Sequence, residues 1–408
     1  MSSEAVPATA IAPVYQPIVE LRSGRTVGYE ALARFPGRPD QGPEEVFRAA
    51  SEAGPAAVRQ LDLDCIQAAV DGALAAGLPP SASLFINVLP TSLQRTVPPT
   101  LARTVERAQR RLRLVIEVTE IDVMARPAEL LALAAWCRRH GFGLAVDDVG
   151  VNPQSLSLLP LLRPDVIKLD RSILTARPTQ ETGRVLGAVL AAAESSGAAV
   201  LAEGIETDRD AHVATTLGAS YGQGWHLGRP GALPTHFPSS GHMLPLLAHD
   251  SNDVPAAPFD LISDQLLGHD APYEYLLAIS HDLEAKACQL DAPIVMSTFQ
   301  EADRFTPATA RRYERVARSA SLVGALASGL PADPAPGVRG VDLRCDDPTR
   351  HDWNVVILAP HFSAALIARD RTWSGPVATR CYDYTVTHDP RLVTLAARSL
   401  LDRLTPAC

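Results

Sequence analysis

Gly143-Leu144-Ala145-Val146-Asp147-Asp148-Val149 is the stretch that decides the fold. Its apolar run reads as a strand buried on both faces, as in a parallel sheet covered by helices. Two adjacent carboxylates nevertheless sit near its C-terminal end. The same design recurs outward in both directions. Strand candidates at 14–21, 26–33, 84–88, 114–119, 143–149, 166–170, 199–203 and 221–223 alternate with longer Ala/Leu-rich stretches of helical period. Repeated β–α units predict a parallel sheet. Eight of them in a little over two hundred residues predict a closed (β/α)8 barrel of the TIM type. Only a short polar turn, 22–25, separates the first two candidates. They are expected to pair as a hairpin, so the barrel is irregular, with an antiparallel strand at its start.

The strand ends carry the chemistry. Glu30 lies late in the second candidate strand and Asn87 in Phe85-Ile86-Asn87-Val88. Glu117 and Glu120 lie in Ile116-Glu117-Val118-Thr119-Glu120, and Lys168 and Asp170 in Ile167-Lys168-Leu169-Asp170. Glu203 and Glu206 lie in Ala202-Glu203-Gly204-Ile205-Glu206, and Gln223 ends the last strand. The first strand departs from the pattern, with Gln16 further upstream. In a β/α barrel, strand ends converge on one face, where active sites sit. One such residue alone is ordinarily a turn or cap residue. A whole set on one face is not explained that way.

Electrostatics then calls for a ligand. Each pair of like charges ~4 Å apart costs about 4 kcal/mol at an effective dielectric of ~20. Lys168 alone does not offset Glu30, Glu117, Asp147, Asp148 and Glu203. Oxygen donors with one Asn amide, and no Cys or His, select Mg²⁺, Mn²⁺ or Ca²⁺ over zinc. The pair Asp147-Asp148 can serve two metals, and two metals clamp an in-line phosphoryl displacement. Lys168 or Glu203 is then placed to orient a water or take its proton. Glu44-Glu45 and the basic run 110–113 lack such company and are read as solvated helix faces.

Bulk properties bound the rest. With 408 residues the chain is read as two domains, and 46% apolar residues suffice for sizeable cores. A formal charge of -9 argues against general binding of DNA or RNA, which needs Lys and Arg. The six cysteines contain no C-x-x-C pair and are read as free thiols of a reducing cytosol. Residues 1–12 carry no Lys or Arg, and no apolar run approaches a membrane span. The expectation is a cytoplasmic protein that makes no membrane contact.

On these residues the first half resembles the EAL family of cyclic di-GMP phosphodiesterases. Tyr29-Glu30-Ala31-Leu32-Ala33-Arg34 contains the Glu-Ala-Leu signature, and Tyr15-Gln16-Pro17-Ile18-Val19 is similar to the family's opening strand. The segments from Phe85 to Gln223-Gly224 follow in the family's order over residues 13–231. The resemblance implies hydrolysis of cyclic di-GMP to linear 5'-pGpG with Mg²⁺ or Mn²⁺, two ions being expected, and inhibition by Ca²⁺. It implies that Glu30, Asn87, Glu117, Asp147 and Asp148 are metal ligands. Glu203 would bind metal or water, and Lys168 would hold the attacking water; with Glu30 they form the implied catalytic set. It implies a substrate site shaped by Gln16, Leu32, Arg34, Asp170, Glu206 and Gln223, with Arg34 facing a phosphate. Glu120 would anchor the loop after the Asp pair, and the barrel would form a homodimer.

That loop departs from the family. Where the family reads Phe-Gly-Thr-Gly, this chain reads Val149-Gly150-Val151-Asn152, then Pro153. The lost hydroxyl removes a hydrogen-bond partner for Glu120, and Asn in place of Gly narrows the backbone's options. Two other readings follow: a receptor that binds cyclic di-GMP without cutting it, and a protein-interaction scaffold.

Residues 232–258, rich in Pro, Gly, Ser and His, read as a linker. A second α/β or α+β domain is expected over 259–405. Helix candidates there are 273–290, 307–319 and 392–404; strand candidates are 293–298, 353–359 and 364–369, with a Pro/Gly loop at 329–340. This half resembles the DICT sensory domain. The carrying residues are those from Tyr275 to Glu284, Ser297-Thr298-Phe299-Gln300, Phe305 with Thr306, Tyr313, and Trp353-Asn354-Val355-Val356. The resemblance implies sensing of an unknown ligand or partner that regulates the enzyme. His281 and Glu284 share a helix face, read as a surface pair rather than a metal site. Trp353, His361 and Trp373 are candidates to line a pocket.

Overall fold

The structure, a computed structural model, describes residues 10–93, 99–119, 127–175, 177–237, 243–247, 254–263, 266–371 and 380–404. Eight strands close into a barrel in chain order: β1 Val14–Glu20, β2 Arg25–Leu32, β3 Ser83–Asn87, β4 Arg113–Thr119, β5 Gly143–Val149, β6 Val166–Leu169, β7 Ala199–Ala202 and β8 Tyr221–Gly222. The expected hairpin is present. β1 runs antiparallel to β2 and also to β8, whereas the pairs from β2 to β8 are parallel.

This reversal explains why the first strand has its polar residue upstream. The N-terminal part of an antiparallel β1 lies at the end where the other strands finish. Gln16 therefore pairs in register with Glu30. At the opposite end, Ile18, Val27, Phe85, Val115, Val166 and Leu201 fill the barrel. Leu244, from the segment after the barrel, is fully buried in that cluster, and the Leu247 amide donates to Asp165 Oδ1 at 2.6 Å. The described part of this Pro- and Gly-rich stretch thus seals the barrel floor.

The C-terminal half forms a seven-stranded sheet. Its strands are β9 Gly268–Pro272, β10 Ile294–Glu301, β11 Leu322–Ser328, β12 Arg339–Asp342, β13 Asp352–Ala359, β14 Phe362–Asp370 and β15 Cys381–Thr387, in the order β12-β11-β10-β13-β14-β15-β9. β10, β11 and β12 are parallel; the remaining pairs are antiparallel. Side-chain alternation along β13 gives the layers. Val355 and Ile357 pack with Leu276, Leu283 and Tyr313 from helices Tyr273–Ala287 and Pro307–Ala317. Val356 and Leu358 face the other way, toward Val393, Ala396 and Leu400 of helix Pro390–Leu401. That last helix also contacts barrel helices Pro127–Arg139 and Leu159–Leu162, so one apolar layer runs from barrel to sheet.

Four C-terminal strands, β9, β11, β12 and β15, were not expected. β11 reads Leu-Val-Gly-Ala-Leu-Ala-Ser, a composition of low β-propensity that its place between two strands overrides. β9 and β12 lie at the sheet edges, where polar residues are ordinary. The three helices end two to three residues before their expected ends, and the basic run 110–113 is not one helix face. Helix Pro99–Arg111 stops, and Arg113 opens β4. Glu44 and Glu45 do lie in the exposed first turn of a helix.

Candidate metal centre at the barrel mouth

Lys168 is the hub of the site. It sits on β6 with its side chain fully buried, and its Nζ stands 2.7 Å from Glu203, 2.8 Å from Glu117, 3.0 Å from Asp147 and 3.5 Å from Glu30. These acids come from β2, β4, β5 and the end of β7, far apart in sequence. Burial alone would lower the ammonium's pKa; Asp147, Glu117, Glu203 and Glu30 outweigh it and hold Lys168 well above its ordinary value.

The acids remain in excess. Burial pushes Glu117 well above the carboxylate range, Glu30 and Asp147 add to this, and Lys168 opposes it. Glu203 is pushed up to about 8, chiefly by burial against the pull of Lys168. Asp148 is raised by burial and then by Asp147. This is the signature of a carboxylate set built for more positive charge than one ammonium supplies.

Two overlapping groups can hold cations: Glu30, Glu117 and Asp147, and Asp147, Asp148 and Glu203, each with one oxygen per residue within 4.8 Å of the others. Asp147 belongs to both. Glu117 Oε1 meets Lys168 Nζ at 2.8 Å, whereas Oε2 is buried without a partner. An all-oxygen set with an orphaned buried carboxylate oxygen fits a hard divalent cation. Asp148 adopts a left-handed φ of 58°, a conformation Asp tolerates better than most residues. It turns the second carboxylate of the pair without breaking the strand.

The amides finish the mouth. Asn87 Nδ2 donates to Glu30 Oε1 at 2.9 Å, and Gln223 Nε2 donates to Glu30 Oε2 at 2.7 Å and to Gln16 Oε1 at 3.1 Å. Gly224, at φ 155°, lets the chain after β8 press onto Ile205; a Cβ there would lie 2.1 Å from the Ile205 carbonyl oxygen. A cavity of about 330 Å³ opens above, lined by Gln16, Glu30, Asp170, Glu203, Glu206 and Gln223.

Two expected residues lie beside this cavity rather than in its lining. Leu32 and Arg34 line a neighbouring cavity of about 180 Å³, beside Asn87. Arg34 is exposed, and its Nη1 donates to the Ala33 carbonyl at 2.8 Å. Glu120 lies outside the described residues. Two residues of the mouth were missed. Arg171 holds Glu206 through two bonds of 2.6 and 2.7 Å, and exposed Trp225 lies under the Arg229 guanidinium at 4.4 Å. Neither pairing has a spacing signature in the sequence.

Comparison with known proteins identifies the family. The EAL domain model matches residues 2–230, and the DICT model, a sensory domain in diguanylate cyclases and two-component systems, matches 271–371. The chain is 35% identical over 118 residues to the probable cyclic di-GMP phosphodiesterase PdeN of Escherichia coli, covering 29% of this chain and 23% of that protein. It is 34% identical over 118 residues to the cyclic di-GMP phosphodiesterase RocR of Pseudomonas aeruginosa, covering 29% and 30%. Klebsiella pneumoniae BlrP1, solved as a manganese/cyclic di-GMP complex, aligns with TM-score 0.48 and 28% identity over 56% of this chain and 58% of that one. The chain spans under a third of the length of the first curated relatives it matches, 26%, 23% and 31%.

Proposed function

Because this chain belongs to the EAL domain family, we propose that its barrel hydrolyses cyclic di-GMP to linear pGpG with two divalent cations, Mg²⁺ or Mn²⁺. The observation that carries the proposal is the pair of carboxylate triads sharing Asp147 around buried Lys168. Glu30, Asn87, Glu117, Asp147, Asp148 and Glu203 would hold the cations. When bound, these supply Lewis-acid charge at the phosphoryl oxygens and a water of lowered pKa.

The chain's own residues do the rest. Lys168, fixed by four acids, holds the attacking water in place as a hydrogen-bond donor. Glu203 shares that contact at 2.7 Å and is placed to accept the water's proton. Asn87 and Gln223 keep the Glu30 carboxylate oriented, and Gln16 and Gln223 present amides to the substrate. Arg171 and Glu206 form the outer wall, where an arginine suits a phosphate.

Incubating the full chain with cyclic di-GMP and Mn²⁺ and resolving the products tests this reading; pGpG is expected. Binding without product would favour the receptor reading, which rests on the altered loop Val149-Gly150-Val151-Asn152. No nucleotide binding even with metal would leave the scaffold. A homodimer through the barrel, a cytoplasmic location, and regulation by the C-terminal domain belong to the same proposal. No helix among the described residues is long and apolar enough to cross a membrane.

A further inference from the structure

A second cavity lies in the C-terminal domain, lined by none of the metal-centre residues. It measures about 550 Å³, within the range of small-molecule sites. Its walls are helices Tyr273–Ala287 and Pro307–Ala317, the end of β10 with the turn that follows, and the start of β13.

The decisive feature is a β-bulge. β10 pairs with β11 residue for residue up to Thr298↔Leu326, but the next partner of Ala327 is Gln300, so Phe299 is an extra residue. Gln300 takes a left-handed φ of 65°, which costs energy in a residue other than Gly. The bulge puts Phe299 and Gln300 on the same face of the sheet, the cavity side, where alternation would have separated them. Gln300 Nε2 is used by the His351 carbonyl, but Gln300 Oε1 is buried without a partner. Ser280 Oγ, across the cavity on the helix, is also buried and unpartnered. Asn354, which also lines the cavity, leaves both Nδ2 and Oδ1 buried and unpartnered. Buried polar atoms are satisfied in the large majority of cases, so three such side chains on one cavity point to a ligand that satisfies them.

The charges and rings define that ligand. Arg312 is neutralised by buried Glu284 at 2.7 Å, and Arg380 by Asp370 at 2.9 Å. Arg304, half-buried in the turn after β10, makes no ion pair among the described residues. Neighbouring Asp303 is exposed at the rim, so solvent screens it. Trp353 and Tyr273 form an aromatic wall with ring centres 5.3 Å apart, and Phe299 lines the cavity from β10. His361, by contrast, is at the turn facing barrel residue Gly187, and Trp373 lies outside the described residues.

We propose that this cavity binds a planar aromatic anion, its ring against Trp353 and Tyr273, its negative group at Arg304, and an N–H or O–H on its far edge donating to Gln300 Oε1. The negative group can be a carboxylate or a phosphate, and the test separates the two. Indole-3-acetate and GMP are titrated calorimetrically into the full chain. Two controls go with them: tryptamine, which keeps the indole but is a cation, and 1-naphthaleneacetate, which keeps the carboxylate but lacks the N–H.

Binding of indole-3-acetate or GMP at or below about 1 mM is expected, with both controls at least tenfold weaker. Which one binds identifies the carboxylate or the phosphate source. Arg304→Ala should weaken binding about tenfold or more, and Arg304→Lys should recover part of it. Ser280→Ala should also weaken binding, with the melting temperature reported alongside to show an intact fold. The proposal is overturned if neither anion binds, if tryptamine binds as well as indole-3-acetate, or if folded Arg304→Ala binds unchanged.

Discussion

Ser157 Oγ donates a hydrogen bond to the carbonyl oxygen of Ala292. Ser157 is fully buried in the 3-10 turn Pro153–Leu158 that follows the Asp147-Asp148 loop. Ala292, at a left-handed φ of 47°, joins helix Tyr273–Ala287 to β10, the two elements flanking the aromatic cavity. Ser321 Oγ donates to the same carbonyl at 2.7 Å. One atom of the C-terminal domain thus ties the segment next to the metal acids to the turn between two cavity walls.

Ser157→Ala should lower stability by about 1 kcal/mol, the worth of an ordinary hydrogen bond, since Ser321 still satisfies the carbonyl. If the contact also transmits the state of the C-terminal domain, kcat for cyclic di-GMP shifts while KM stays near the parent value. A melting curve and a rate profile of the same preparation check both. An unchanged kcat would make the contact purely structural.

Glu30→Ala should abolish turnover, by about a thousandfold or more, because a metal-site carboxylate anchored by Asn87 and Gln223 is lost. Product analysis at saturating Mn²⁺ decides it; a rate near the parent's removes Glu30 from the centre. Glu203→Gln should also cut turnover yet leave nucleotide binding measurable by calorimetry. Loss of both together makes Glu203 a binding residue instead.

The pH dependence has a defined sign. Burial raises the Glu203 carboxyl to about 8, so in the metal-free protein it keeps its proton to a higher pH than an ordinary carboxyl. A cation needs the ionised form, so Mn²⁺ affinity should climb as pH rises toward about 8 and level off above. In the metal-free protein, the folded state holds this proton more tightly than the unfolded chain. Stability should therefore fall as pH rises from about 4.3 toward 8. Calorimetry in buffers of different ionisation enthalpy should show proton release on metal binding; no release contradicts the assignment.

Val151→Thr combined with Asn152→Gly should raise turnover if the altered loop limits the rate. Val151 is 57% exposed, so the change costs little packing. Equal rates for parent and double variant would show the departure to be harmless.

Much of the barrel was legible before any coordinates. A run such as Ala145-Val146-Asp147-Asp148 encodes both a doubly buried strand and a polar end, and closure brings such ends together by topology alone. The sequence also carried the hairpin at the start and the oxygen-only character of the donors, because turn length and residue type are local. The second sheet was harder: edge strands and an Ala/Gly/Leu strand take their conformation from neighbours rather than from their own propensity.

Residue type determined on its own which groups could meet at the barrel mouth. Tertiary structure alone decided how they share charge: Lys168 amid four acids, Asp147 common to two triads, Arg171 on Glu206 and Arg34 on the Ala33 carbonyl. The bulge at Phe299-Gln300 and the clasp of Ser157 on Ala292 belong to the same class. The reason is physical: strand pattern is written by neighbours one or two residues away, whereas burial, pKa and pairing depend on distances between atoms far apart in the chain.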